Sequence, residues 1–247
     1  MESSNTSTNP VPSLRRELEQ GVSGDYVVAL AGNPNVGKST VFNALTGLNQ
    51  HTGNWPGKTV TSARGIYRYR DRDVVLVDLP GTYSLLANSV EEEIARDFIC
   101  FGQPDATVVV ADATCLERNL NLVLQVLEIT PRVVLCLNLV DEAQRKHISI
   151  DVDKLATRLG IPVVPCAARK GEGLDQLKAV IDEVASGRIR PQPLRWRYSD
   201  QLEGEIAQLV PYLQRVLPQE LNARWVALRI MEGDESIVPN LLSLAAN

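Results

Sequence analysis

Residues 32 to 39 read GNPNVGKS and match the pattern G-x-x-x-x-G-K-[ST], whose residue types and spacing suit the binding of nucleotide phosphates. An apolar run precedes this segment and a helical pattern follows it, so backbone N–H groups and a helix N-terminus can surround the phosphates. Lys38 is expected to reach the β and γ phosphates, and Ser39 to place its hydroxyl on Mg²⁺. The predicted nucleotide contacts in this segment are Gly32, Asn33, Asn35, Val36, Gly37, Lys38, Ser39 and Thr40.

A carboxylate follows the next long apolar run, in the segment DLPG at residues 78 to 81. Asp78 stands where a strand is expected to end, and from there it can hold Mg²⁺ through a bound water. Gly81 can offer its backbone N–H to a γ phosphate. A strand that ends in Asp is common, but together with the phosphate-binding pattern this segment predicts a nucleoside triphosphate site with bound Mg²⁺.

Two further loops carry groups that suit a guanine base. In NLVD, at residues 138 to 141, the carboxylate of Asp141 can accept both the ring N–H and the exocyclic amino group of guanine, a pair that adenine does not offer. Asn138 is expected to bond the base and to brace the phosphate-binding loop. In the later segment CAARKGEG, the small residues Ala167 and Ala168 are predicted to approach the base, with the N–H of Ala168 donating to the guanine carbonyl.

Apolar runs of strand length alternate with helical patterns from residue 26 onwards. The runs are YVVALA, VVLVDL, ATVVVAD, RVVLCLN and IPVVPCA. Such unbroken Val and Leu runs are typical of strands buried on both faces, so an α/β fold with a mostly parallel sheet is predicted. In GIYRYRDRDVVLVD, two extended runs flank the polar RDRD, which predicts a β-hairpin and one antiparallel pair.

The composition changes along the chain and divides it into three predicted parts: a flexible arm at residues 1–24, an α/β domain at 25–187, and a small helical domain at 188–247. The last part starts with the Pro- and Arg-rich connector RIRPQPLRWR. Beyond the connector, apolar residues spaced by three and four predict an amphipathic helix, and NARWVALRIMEGD and SIVPNLLSLAA predict two more. The residues that carry the first pattern are Leu202, Ile206, Leu209, Leu213 and Leu217.

The overall composition excludes some classes of protein. A net charge of -5 argues against binding of nucleic acid through phosphate neutralisation, which needs clustered Lys and Arg. The sequence contains neither an apolar run long enough to cross a membrane nor a signal sequence, and a soluble, cytosolic chain is expected. The four cysteines are widely separated and are predicted to be buried, reduced thiols.

The four loops, in this order and spacing, resemble those of P-loop GTPases of the Ras and translation-factor class over residues 26 to 186. The resemblance implies a Ras-like fold with a mostly parallel, six-stranded sheet, and it implies GTP or GDP with Mg²⁺ as ligands. Leu139 stands where a Lys is common, and its apolar side chain is still expected to cover the guanine. Thr82 stands where Ras-like proteins carry the Gln that orients the attacking water, so hydrolysis is expected to be slow or to use another device.

The segment GNWPGKTVT at residues 53 to 61 makes the resemblance more specific. Together with GNPNVGKSTVFNALTG, DLPGTYSL, NLVDEA and ARWVALRIMEGDE, it resembles the cytosolic region of the FeoB family of bacterial ferrous iron transport proteins. In that family a G domain precedes a helical domain that stabilises the GDP-bound state. Lys58 and Thr61 depart from the apolar residue and the Glu that usually flank the family's threonine.

This resemblance implies roles for residues around the second segment. Thr59 would complete the Mg²⁺ shell when GTP is bound. Asn35 would bind K⁺ beside the β and γ phosphates, where the cation would neutralise charge that develops in the transition state. Backbone carbonyls near Asn54 and Trp55 would complete that K⁺ site, and the alternative for Trp55 is a hydrophobic contact that anchors the loop. The implied sets are Lys38, Thr59, Gly81 and Asn35 for catalysis, Ser39, Thr59 and Asp78 for Mg²⁺, and Asn35 and Trp55 for K⁺.

The implied function is GTP binding and slow, Mg²⁺-dependent, K⁺-stimulated hydrolysis that regulates Fe²⁺ uptake. The implied partners are the transmembrane portion of the same transporter and small Feo accessory proteins, at the cytoplasmic face of the bacterial inner membrane. Self-association is left open, and no nucleic acid partner is expected. Two alternatives are considered. One is a soluble ribosome-assembly GTPase, which would require a basic RNA-binding module, and the other is a nucleotide-dependent switch with negligible turnover.

Overall fold

A computed structural model describes residues 24–47, 50–55 and 58–245. The predicted arm therefore lies, except for Gly24, outside the described residues. The described strands form one sheet in the order β2-β3-β4-β1-β5-β6-β7, in which β2 and β4 pair antiparallel with β3 and the other neighbours are parallel. The strands are β1 (Tyr26–Gly32), β2 (Gln50–Asn54), β3 (Thr61–Tyr69), β4 (Arg72–Asp78), β5 (Ala106–Asp112), β6 (Val133–Asn138) and β7 (Val163–Pro165).

The predicted class, a mostly parallel α/β sheet, is confirmed, but the predicted number of six strands is corrected to seven. The additional strand is β2, which has the sequence QHTGN and carries no alternating apolar pattern. Its residues 51 to 54 are exposed, and the strand exists because its backbone pairs along the edge of β3. The predicted hairpin is also confirmed: Tyr69 pairs with Arg72 across a turn in which Arg70 has a φ of 54°.

Helices cover both faces of the sheet, as the buried strand pattern predicts. The α-helices are α1 (Lys38–Thr46), α2 (Val90–Phe101), α3 (Leu116–Ile129), α4 (Val140–Arg145), α5 (Val152–Leu159), α6 (Leu174–Ala185), α7 (Asp200–Val216), α8 (Ala223–Met231) and α9 (Val238–Ala245). Val27 and Ala29 of the central strand β1 belong to one core, whereas Val28 and Leu30 belong to the core on the other face. Both faces of β1 are thus removed from water, and the loops at its carboxyl end rest on a rigid support.

The three predicted C-terminal helices are present as α7, α8 and α9. The helix α7 packs on α8 through Ile206, Ala227 and Leu228. Trp225 and Ile237, however, belong to the same core as α2 and α3, so the C-terminal helices are packed onto one face of the α/β part.

A buried cation links these helices to α2. The side chain of Arg96 is completely buried, and its guanidinium donates to Asp97, to Asp234 at 3.2 Å and to Ser236 at 2.7 Å. Asp97 in turn accepts from Asn240 at 3.0 Å. A buried charge of this kind is tolerated only because it is paired and hydrogen-bonded.

The cysteine prediction needs one correction. Cys100, Cys136 and Cys166 are buried free thiols, as predicted, but Cys115 is exposed. Cys115 lies in the 3₁₀ turn between β5 and α3, and its sulfur accepts a hydrogen bond from Asn119 at 3.3 Å. The apolar residues around Cys115 in the sequence therefore do not cover its side chain.

Candidate functional site

The phosphate-binding loop joins the carboxyl end of β1 to the N-terminus of α1. Gly37 has a φ of 80°, and a Cβ at this position would lie 2.5 Å from Nδ2 of Asn138, so only glycine fits. At Gly32 a Cβ would lie 2.8 Å from the carbonyl oxygen of Val110. No side chain caps the start of α1, and its first turn contains no acidic residue. The first N–H groups of α1 are thus available to an anion.

Lys38 brings this loop together with the end of β4. Its ammonium contacts the carboxylate of Asp78 and donates to the carbonyl oxygen of Leu79 at 2.7 Å. Burial raises the pKa of Asp78 above its ordinary value, and the neighbouring Lys38 opposes that rise in pKa. The predicted phosphate lysine and the predicted Mg²⁺ carboxylate therefore lie side by side, although 40 residues separate them in the sequence.

The donor groups near this point suit Mg²⁺ by their chemistry. Asp78 supplies one carboxylate, and Ser39 supplies a hydroxyl at the start of α1. Mg²⁺ prefers oxygen ligands and commonly uses one or two carboxylates together with substrate phosphates. Within the described residues no group of three or more His, Cys, Asp or Glu side chains is arranged to hold a metal ion.

The loop that carries Thr59 is attached to α2. Trp55 is buried, and its ring meets the ring of Phe98 edge-on, with 5.5 Å between the centroids. Lys58 pairs with Glu93 in the first turn of α2 at 3.0 Å, while Thr59 itself is exposed. Of the two roles considered for Trp55, the hydrophobic anchor describes its side chain. Its carbonyl oxygen accepts the N–H of Lys58 at 3.0 Å and retains a second lone pair.

Asn35, the predicted K⁺ ligand, has an exposed side chain and a left-handed backbone with a φ of 66°. Asparagine is one of the few residues that adopt this conformation at low cost. The residues on its two sides differ in exposure, since Val36 is buried and Pro34 only partly so. The loop therefore turns at Asn35 and presents its amide to solvent.

Thr82 uses its hydroxyl within its own loop. The hydroxyl donates to the carbonyl oxygen of Ser84 at 2.6 Å and accepts the N–H of Ser84 at 3.2 Å. The N–H of Thr82 bonds the carbonyl oxygen of Gly32 at 3.3 Å, and its neighbour Gly81 lies against Pro34 of the phosphate-binding loop. Because the residue is buried and its hydroxyl is engaged, Thr82 is not placed to orient a water molecule.

Asn138 joins the phosphate end of the site to the base end. Its side chain is buried; Nδ2 donates to the carbonyl oxygen of Val36 at 3.0 Å, and Oδ1 accepts the N–H of Ala168 at 3.1 Å. The carbonyl oxygen of Cys166 also accepts the N–H of Val140, at 3.2 Å. The loops after β1, β6 and β7 are thus cross-linked, and Ala167 is held in the same turn as Ala168.

Asp141 is the second residue of α4, whose N-cap is Leu139 with a φ of 62°. Its carboxylate is 3.1 Å from the ammonium of Lys170, which belongs to the turn after β7. The hydrogen bond from Lys170 is the main cause that lowers the pKa of Asp141 below its ordinary value. The contact with Lys170 therefore favours the ionised form of the predicted guanine-binding carboxylate.

Sequence reasoning missed three residues that support the site: Lys170, Glu93 and Phe98. Lys170 stands inside the segment CAARKGEG, where a cation next to a predicted base loop was a usable signal. Glu93 stands in the acidic first turn of α2, where the helix dipole by itself favours a carboxylate. The contact of Phe98 with Trp55 joins residues 43 positions apart, so no local sequence pattern predicts it.

Comparison with known proteins decides the family. The family model described as "Ferrous iron transport protein B" matches residues 26–181, and the model described as "FeoB cytosolic helical domain" matches residues 198–245. The chain belongs to the FeoB family. Its α/β part has the P-loop GTPase fold of the FeoB G domain, and helices follow it as in that family.

Curated FeoB relatives are much longer than this chain. The Fe(2+) transporter FeoB of Salmonella typhimurium is 44% identical over 216 residues, which are 84% of this chain and 27% of the relative. The Escherichia coli K12 transporter is 40% identical over 211 residues, with the same shares. The chain therefore spans about a quarter of the length of these FeoB relatives. In the part that the structure describes, no helix combines the length and apolar character that a membrane crossing requires.

Solved structures of FeoB cytosolic domains have the same fold. The apo form from T. maritima is 40% identical with a TM-score of 0.79, covering 89% of this chain and 86% of that chain. The T. maritima form with GMPPNP gives a TM-score of 0.80 at 40% identity, with coverages of 89% and 86%. The cytosolic domain from L. pneumophila FeoB gives 0.76 at 36% identity, with coverages of 89% and 92%.

Proposed function

We propose that this FeoB region binds GTP and GDP and hydrolyses GTP slowly with Mg²⁺. The observation that carries the proposal is the double hydrogen bond of Asn138, which ties the phosphate-binding loop at Val36 to the predicted base loop at Ala168. A single ligand that has phosphates at one end and a base at the other fits such an arrangement. FeoB cytosolic domains from T. maritima, described as GDP and GMPPNP forms, support this assignment.

Each end of the nucleotide has its own set of residues in this proposal. The phosphates are held by backbone N–H groups of the phosphate-binding loop, in which Pro34 has none to offer, and by the ammonium of Lys38, and the guanine is selected by Asp141. Ser39, Thr59 and, through a bound water, Asp78 would hold Mg²⁺, which would supply positive charge that neutralises the phosphates. To bind there, Thr59 must leave its exposed position, which makes its loop the element that senses GTP.

GTP hydrolysis is expected to be slow because no glutamine follows Gly81 to orient the attacking water. Thr82 occupies the position of the water-orienting Gln and has its hydroxyl engaged by Ser84. Asn35 and the carbonyl oxygen of Trp55 would hold K⁺, which would neutralise charge that develops in the transition state, as an arginine does in other GTPases. The same observation on Thr82 supports the second candidate function, a nucleotide switch with negligible turnover.

The proposed cellular role is to regulate Fe²⁺ uptake by a transporter. Fe²⁺ is the cargo of that transporter, and its transmembrane portion is the proposed partner of this region, because the curated relatives are Fe(2+) transporters of which this chain spans 27%. A position at the cytoplasmic face of the inner membrane and contacts with small Feo accessory proteins belong to the same proposal.

The test measures GTP hydrolysis under single-turnover and multiple-turnover conditions, in K⁺ and in Na⁺ at equal ionic strength. We expect measurable single-turnover hydrolysis of GTP that is faster in K⁺ than in Na⁺. The Asn35→Ala variant should lose the K⁺ effect and keep GDP affinity. Equal rates in both salts would remove the K⁺ site from the proposal, and GTP binding without any turnover would leave the switch function in place of the enzyme.

A further inference from the structure

Lys170 and Asp141 come from different loops and meet at the base end of the site. The ammonium of Lys170 lies 3.1 Å from Oδ2 of Asp141, and the carboxylate side chain is the less exposed partner, at 16% against 53%. Lys170 stands at the end of the 3₁₀ turn that starts at Ala168, and its own N–H bonds the carbonyl oxygen of Ala167 at 2.8 Å. The base of the lysine side chain is therefore fixed, although its tip reaches solvent.

Two links already hold the backbones of these loops in place. The N–H of Ala168 bonds Asn138, and the N–H of Val140 bonds Cys166. Neither link touches the carboxylate of Asp141. Lys170 adds a third link, which acts on the carboxylate itself.

Other charges near Asp141 are less suited to this task. The guanidinium of Arg145, one turn further along α4, is 4.0 Å from the same Oδ2, but it also pairs with Glu142 and is 66% exposed. Glu142 contributes its backbone N–H to Asp141. Leu139, in the position where related GTPases often carry a lysine, provides no charge. Lys170 is thus the nearest cation to Asp141 among the described residues.

The lysine and a guanine can use the carboxylate at the same time. Each carboxylate oxygen has two acceptor positions. The bonds from Lys170 and from the backbone N–H of Glu142 occupy two of these four positions and leave two for the ring N–H and the exocyclic amino group of guanine. A carboxylate fixed on one side loses less rotational freedom when the base binds.

We propose that Lys170 is a positioning residue for guanine selection, because it holds the carboxylate of Asp141 in the orientation that accepts both N–H groups of the base. The inference rests on the proposed role of Asp141 in guanine binding. Lys170 does not read the base itself. It acts through Asp141, so its effect should depend on the exocyclic amino group of the nucleotide.

The experiment compares the affinities of GDP and of inosine diphosphate, which lacks the exocyclic amino group, for the wild-type chain and for Lys170→Met. GDP affinity should fall about fivefold, at the upper end of what exposed ion pairs contribute. Affinity for inosine diphosphate should fall less than twofold, so the preference for GDP shrinks. The Lys170→Arg variant should restore both affinities, and Arg145→Met should change neither by as much as twofold.

Three results for Lys170→Met would overturn the inference. Equal losses of affinity for both nucleotides would indicate a purely structural lysine, and tighter GDP binding would indicate competition for Asp141. Unchanged affinity for both nucleotides would show that the lysine has no effect on the base site.

A fourth variant, Asp141→Asn, separates the inference from its premise. It should weaken GDP and favour xanthine diphosphate, whose C2 carbonyl accepts from an amide. If Asp141→Asn leaves base preference unchanged, the guanine assignment itself fails. If Asp141→Asn changes the base preference but Lys170→Met leaves both nucleotide affinities unchanged, the guanine assignment stands and the inference about Lys170 fails.

Discussion

The side-chain amide of Asn138 donates to the carbonyl oxygen of Val36 at 3.0 Å, across 102 residues of sequence. This bond and the one that the same side chain accepts from Ala168 are buried. Two loops that contact opposite ends of a nucleotide in the proposed function are thereby held at a fixed separation.

Replacing Asn138 by Ala should weaken both the fold and the nucleotide site. The substitution leaves the carbonyl oxygen of Val36 and the N–H of Ala168 buried without partners, at a cost of about 1–3 kcal/mol for each group. Thermal unfolding should start at a lower temperature, and GDP affinity, measured by calorimetry, should fall more than tenfold. Asn119→Ala is the matched control, since Asn119 is a buried amide that bonds Cys115 outside the site. It should lower the unfolding temperature only, and an equal loss of GDP affinity in both variants would contradict the bridging role.

Gly37→Ala should disrupt the phosphate-binding loop. The new Cβ would lie 2.5 Å from Nδ2 of Asn138, on a backbone with a φ of 80°. Gly187 provides the control: its φ is 72°, but nothing lies within 4 Å of its Cβ position. Gly187→Ala should cost only the backbone strain of about 1–2 kcal/mol, whereas Gly37→Ala should also abolish GDP binding. Normal GDP affinity of Gly37→Ala would show that the loop can move away from Asn138.

The regular parts of this fold could be predicted because they rest on local patterns. The Val and Leu runs predicted strands buried on both faces, and β1 has that burial. The RDRD segment predicted the hairpin of β3 and β4. The spacing of Leu202, Ile206 and Leu209 predicted α7, which begins with Ser199 accepting the N–H of Leu202.

The features that escaped prediction depend on partners far away in the sequence. The strand β2 has no pattern of its own and forms by pairing with the edge of β3. Arg96 reads as an ordinary residue of an amphipathic helix, yet it is completely buried because Asp234 and Ser236 meet it from the C-terminal helices. The bond of Lys170 to Asp141 likewise becomes visible only when the loops after β6 and β7 lie side by side. No local periodicity encodes such pairs.

Thr82→Ala should leave the rate of GTP hydrolysis within about threefold of the wild-type rate. The hydroxyl of Thr82 is already bonded to both backbone groups of Ser84, so its loss removes a loop contact and no catalytic group. The loss should lower the free energy of unfolding by about 1 kcal/mol. Thr46→Ala removes a comparable buried hydroxyl, which donates to Phe42 at 2.8 Å, and should show a similar loss of stability. A hundredfold fall in single-turnover rate for Thr82→Ala alone would assign catalysis to the hydroxyl.

The ion pair of Glu203 with Arg224 should make the C-terminal helices sensitive to acid. Both carboxylate oxygens accept from the guanidinium, at 2.6 and 2.8 Å, and one also accepts the N–H of Tyr198. These bonds, chiefly those from Arg224, lower the pKa of Glu203 from 4.5 to about 2. A carboxylate with a lowered pKa binds protons more readily in the unfolded chain, so its contribution to stability is present above pH 4.5 and is lost as the pH falls towards 2.

The measurement is the free energy of unfolding by urea for the wild-type chain and for Glu203→Gln, at pH 7 and at pH 3. The variant should be the less stable chain at pH 7, because a neutral amide cannot form the charged pair. The difference should shrink at pH 3, where part of the wild-type contribution has been lost. Glu205→Gln, on an exposed side chain of the same helix, should show a small difference that does not change with pH. A gap between wild type and Glu203→Gln that is equal at the two pH values would mean that the pair does not control the acid response.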